Sequence, residues 1–99
     1  MPVEVHEEVA QRNARLGYIL MNSMQSEHVG SIPLTVAVDR LRSCDDVVEK
    51  MTKQAARAFV ERVFLRGVQV GTVRVVVARG ADGVRITLEG AKANEAISS

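Results

Sequence analysis

The chain is poor in aromatic residues: Tyr18, Phe59 and Phe64 are the full set, and there is no tryptophan. A core built from these 99 residues must therefore be aliphatic, and modes of nucleic-acid binding that stack bases on exposed rings are disfavoured. Cysteine is limited to Cys44, which excludes an internal disulfide and fits a reducing, cytoplasmic setting. The two histidines, His6 and His28, have neither each other nor a cysteine at metal-ligand spacing, so no metal and no cofactor is expected. Long apolar runs are missing too. Nothing approaches the roughly 18 residues of a membrane span, and the opening MPVEVHEEVAQ is acidic rather than basic-then-apolar, so neither membrane nor signal peptide is expected. No phosphate-binding glycine loop, nucleophile elbow or dinucleotide fingerprint is present, and no catalytic residue is assigned; the chain reads as a non-enzyme.

What remains is ordinary for a small globular domain: 46% hydrophobic, 25% charged, net charge +1. The charge is uneven. Residues 1–49 hold four basic against eight acidic residues, and residues 50–99 hold nine against four. The second half is thus the side to which a polyanion would be drawn.

Periodicity places the elements. Val47, Val48, Met51, Ala55, Phe59, Val60 and Val63 recur at three- and four-residue steps, which predicts one helix over Ser43–Gly67, with Ser43 as its N-cap and Gly67 as its stop. A second helical stripe, Val9, Leu16, Ile19, Leu20 and Met24, lies within residues 3–26. Val3-Glu4-Val5-His6 either extends that helix or forms a short first strand; four residues of pattern leave both open. Ile32 to Val38 alternates and reads as a strand, with Pro33 at its start or on a sheet edge. After Gly67 the period becomes two. Gly71 marks a bulge or bend, and Val73–Val77 and Val84–Leu88 form a hairpin around Arg79-Gly80-Ala81-Asp82-Gly83. Closure with Ala78 opposite Gly83 sets Val77 against Val84, Val75 against Ile86 and Val73 against Leu88. The expected fold is α+β: a two-layer sandwich with two helices packed on one face of a three- or four-stranded mixed sheet, in the order (β)αβαββ. Residues 1–90 form the single domain and 91–99 a flexible tail.

Candidate chemistry is mostly basic. Arg40 and Arg42 precede the central helix, Lys53 and Arg57 lie on its outer face, Arg79 sits at the hairpin tip and Arg85 on the outer sheet face. These six are the candidate phosphate contacts. Phe64 and Val76 are surplus apolar residues and the candidate oligomer contacts. The element order resembles the Alba family of small dimeric nucleic-acid-binding proteins. In that resemblance Val3–His6 is the first strand, Leu34–Asp39 the second, Arg40–Ser43 the loop before the second helix, and the hairpin around Arg79-Gly80 the arm laid along nucleic acid. It implies a cytoplasmic dimer that binds RNA or DNA without sequence preference. The alternative expectation is a protein-interaction or assembly module, a homo-oligomer or the subunit of a complex, that binds no nucleic acid.

Overall fold

The computed structural model describes the backbone of residues 2–90 and the side chains of residues 8–90. The expected tail at 91–99 lies outside the described residues. The elements run α1 (Pro2–Ser26), β1 (Ser31–Pro33), α2 (Leu34–Cys44), α3 (Asp46–Glu49), α4 (Lys53–Phe64), β2 (Val68–Val70), β3 (Val73–Gly80) and β4 (Gly83–Glu89). The fold is α+β, and its sheet has four strands in the order β1-β4-β3-β2. All three pairings are antiparallel, so the sheet is not mixed. The described elements include four helices rather than two.

Two corrections account for the extra helices. Residues 34–38 are helical, and the strand ends at Pro33. Two periods compete in this stretch: Ile32, Leu34, Val36 and Val38 alternate, but Leu34, Ala37, Val38 and Leu41 make a helical stripe, and these four are the buried residues of α2. Pro33 fits the boundary. It disfavours the helical region for Ile32 before it, and it has no N–H for a ladder beyond it.

The helix expected over Ser43–Gly67 is interrupted twice. Ser43 does not cap it: the hydroxyl lies inside α2 and donates to the Asp39 carbonyl at 3.1 Å. Asp45, extended at φ −129° and ψ 123°, is the N-cap of α3, and its Oδ2 accepts the Val48 N–H at 3.1 Å. Thr52, extended at φ −64° and ψ 159°, is the N-cap of α4, and its Oγ1 accepts the Ala55 N–H at 3.1 Å. Each side chain offers the backbone a partner that continuous helix would not, and this is how short polar residues interrupt a stripe. Val47 shows the outcome. A single helix would bury it beside Val48, but Val48 is fully enclosed and Val47 is 53% exposed.

Val3–His6 falls in α1. The two strands on which the Alba resemblance rests, Val3–His6 and Leu34–Asp39, are therefore both helical.

The sheet follows from its turns. Val70 pairs with Val73, so Gly71-Thr72 is a two-residue hairpin turn rather than a bulge. Gly71 takes φ +61° at the first turn position, which glycine adopts without strain. In the second hairpin Gly80 pairs with Gly83, leaving Ala81-Asp82 as the loop. The left-handed residue is Gly83, at φ +100°, the position a bulge-closed turn assigns to glycine. Val77 consequently faces Ile86 and Val75 faces Leu88, two residues away from the expected register. A shift of two leaves every side chain on its expected face.

The core lies between the helices and the inner sheet face. Leu16, Leu20 and Met24 of α1 meet Leu34, Val38 and Leu41 of α2, Ala56, Val60 and Phe64 of α4, and Ile32, Val75 and Ile86 of the sheet. Asp45 is the buried polar residue among those described, at 8% exposure. Arg15 of α1 donates to its Oδ1 from Nε at 3.2 Å and from Nη2 at 2.9 Å. One carboxylate thus caps α3 and ties α1 to the α2–α3 corner. Asp45→Ala is expected to cost about 2 kcal/mol, lowering Tm by about 10 °C. Asp45→Asn keeps a cap acceptor and loses the ion pair, so thermal unfolding should place it between the two.

Candidate nucleic-acid interface

The start of α4 is fixed from two sides. Thr52 caps its first turn, and Arg42 of α2 donates from Nη2 to the Met51 carbonyl at 3.3 Å. The Arg42 Nε is buried without a hydrogen-bond partner, so this side chain is a strut inside the fold. Behind Thr52 the helix buries Ala56, Val60 and Phe64. Alanine at 56 allows α4 to lie close against α2, and the first turn is left with Lys53, Gln54 and Arg57 exposed.

These three side chains form one wall of an open groove of about 360 Å³; Thr35, Val38 and Asp39 of α2 form the other. Lys53 and Arg57 are one turn apart and make no ion pair with the described residues, nor do Lys50, Arg62 and Arg66 at the two ends of α4. The β3–β4 hairpin reaches the same helix further along. Arg79, 63% exposed, bridges to Glu61 at 2.6 Å, and with Ala58, Arg62 and Leu65 the pair lines a second shallow depression. The charge excess of the second half of the sequence is thus concentrated on α4 and the hairpin end beside it. Asp39 across the groove, Glu61 on α4 itself and Asp82 at the loop are acids that interrupt it.

The six expected contacts separate into two groups. Lys53, Arg57 and Arg79 lie along α4. The other three are elsewhere, each engaged by a neighbour. Arg40 donates to Ser23 Oγ at 2.9 Å and bridges to Glu27 at 2.7 Å. Arg42 is the internal strut. Arg85 lies on the outer sheet face and donates to Ser31 Oγ at 2.8 Å and to the Ser31 carbonyl at 3.3 Å. The two expected oligomer contacts are corrected as well. Phe64 is fully enclosed in the core, and Val76 is 8% exposed, so neither offers area to a second copy.

Gln54 and Thr35 are groove residues that the reading of charge passes over, because they carry none. The Thr52 cap, a threonine directly before a run of helix formers, is the sequence signal that identifies Gln54, since it fixes which residues occupy the first exposed turn of α4; Thr35, on α2, has no such signal. Compared with known protein families, curated proteins and solved structures, the chain matches none.

Thr52→Ala should destabilise the protein by about 1 kcal/mol. Because the cap is local, native-state hydrogen exchange should accelerate first at Ala55 and Ala56, with the sheet amides unaffected.

Proposed function

We propose that the protein binds duplex DNA through α4 and the β3–β4 hairpin, in a phosphate-directed mode without strong sequence preference. The observation that carries this reading is the exposed first turn of α4: two cations that make no ion pair with the described residues, flanking Gln54, on a helix seated against α2 and with a basic hairpin end beside it. A helix packed on a preceding helix, with its N-terminal residues free, is how helix-turn-helix proteins enter the major groove. Here the connection is longer than the usual three- or four-residue turn, because α3 occupies it. The choice of DNA over RNA rests on groove shape. The B-form major groove, about 12 Å wide, admits a helix, whereas the A-form major groove is too deep and narrow. The exposed aromatic among the described residues, Tyr18, lies on α1, and Phe59 of α4 is half-buried with the Arg12 guanidinium over its ring, which leaves it poorly placed as a stacking platform for single strands.

In this mode Lys53 and Arg57 contact the phosphates that flank the groove and Arg79 contacts the backbone beside the hairpin. Arg79 is oriented for that contact by Glu61. Arg40, Arg42 and Arg85 maintain the fold and make no contact with the ligand.

A titration with duplex DNA over a series of salt concentrations tests the assignment. Affinity should fall steeply as salt rises, and Lys53→Ala with Arg57→Ala should reduce the slope of log K against log salt by about 2. Arg85→Ala should leave that slope unchanged. Absence of binding at low ionic strength, or equal effects of the two changes, overturns the proposal.

A further inference from the structure

The first half of α1 projects beyond the core. The helix begins at Pro2, yet its first buried side chain among those described is Leu16; Glu8, Val9, Ala10, Gln11, Ala14 and Arg15 are all exposed. Arg12 on Phe59 and Arg15 on Asp45 anchor this segment among the described residues, and a helical segment packed so sparsely is marginal in water, since short helices gain most of their stability from an apolar or paired face. The exposed side of this segment has a definite pattern. Glu8, Gln11 and Arg15 follow one another at three- and four-residue steps, and Ala10, Ala14 and Tyr18 form the adjoining line. The middle of the face is small and uncharged. Tyr18, 55% exposed, stands at one end.

The charges on this face complement a reversed copy of it. Glu8 has no ion-pair partner among the described residues. Arg15 holds Asp45 through Nε and Nη2, its Nη1 makes no hydrogen bond to the described residues, and its side chain is 53% exposed. Set two such helices antiparallel about a two-fold axis near Gln11, and Glu8 of each lies opposite the partner's Arg15. Side-by-side parallel helices would instead oppose Glu8 to Glu8 and Arg15 to Arg15. Ala10 and Ala14 allow the axes to come close, because helix separation is set by the side chains at the contact.

We propose that this face of α1 is a homodimer interface, with the two α1 helices antiparallel, two symmetric Glu8–Arg15 bridges at its margins, Ala10 and Ala14 near its centre and a Tyr18 at either end. The contact is isologous, as in most two-fold dimers. It is independent of the DNA-binding reading. Arg12, whose guanidinium stacks 4.9 Å from the centroid of Phe59 on α4, lies roughly 160° around α1 from Ala14, so the dimer leaves α4 uncovered.

Sedimentation equilibrium of the full chain without nucleic acid tests it. The expected mass is twice 10.8 kDa at micromolar concentration. Glu8→Lys should weaken the dimer about tenfold by turning two attractive pairs into repulsive ones. Ala14→Arg should give a monomer, with the circular dichroism and Tm of the parent because residue 14 is exposed in the single chain. In a Cys44→Ser background, Gln11→Cys should oxidise to a disulfide-linked dimer, and Gln25→Cys should not; this pair decides the matter even if Ala14→Arg fails to fold. A monomeric parent, a dimer indifferent to Ala14→Arg, or cross-linking through residue 25 in place of residue 11 overturns the proposal.

Discussion

Much of this fold depends on one carboxylate. Asp45 sits where α2 must stop, α3 must start and α1 must be held against both. Its extended backbone breaks the helix, its Oδ2 satisfies an amide at the new N-terminus, and its Oδ1 receives Arg15. A buried charge is tolerable only with such partners, because an ionised carboxylate in an apolar setting without hydrogen bonds would be strongly destabilising. The start of α4 is set further along the chain, by the Thr52 cap and by Arg42 of α2 holding the Met51 carbonyl. The exposed turn bearing Lys53, Gln54 and Arg57 is therefore positioned by residues outside it.

The arginines divide by what holds them. Arg15, Arg40, Arg42 and Arg85 each reach a specific acceptor on another element, and each fastens a joint of the fold: α1 to the α2–α3 corner, α2 to α1, α2 to the approach to α4, and β4 to β1. Lys53 and Arg57 make no ion pair with the described residues, and Arg79 is held by Glu61. An exposed cation on a rigid helix adds to the local positive field, which suits it to a diffuse anionic surface. The division also explains how a chain with a net charge of only +1 can have a predominantly basic face.

Much of this was legible in the residues, and the misreadings have physical causes. The α+β class, the valine hairpin and the faces of its strands follow from period-two patterning, which survives a register shift of two. The 34–38 segment was ambiguous because Leu34 and Val38 satisfy both periods, and only burial of Ala37 and Leu41 decides for helix. The long helix failed at Asp45 and Thr52, since an unbroken apolar stripe conceals caps in its interior. At the candidate interface, Lys53, Arg57 and Arg79 could be found from charge and helix phase alone. Arg40, Arg42 and Arg85 could not be set aside from sequence, because their acceptors lie 9 to 54 residues away along the chain. Phe64 failed as a surface residue for a simpler reason: it lies on the same helical stripe as Ala56 and Val60, which α4 buries.

The sheet has two free margins, and both are short. β1 and β2 each run for three residues, and β1 ends on Pro33, which has no N–H to offer. An exposed strand edge is a template on which other chains can add, and brevity and proline are the means by which natural sheets discourage this. The valine-rich β3 and β4, which would be the most aggregation-prone segments if they stood at a margin, are enclosed between the two short strands. The proline that ends the first strand and precedes α2 therefore also removes a ladder donor from one margin of the sheet.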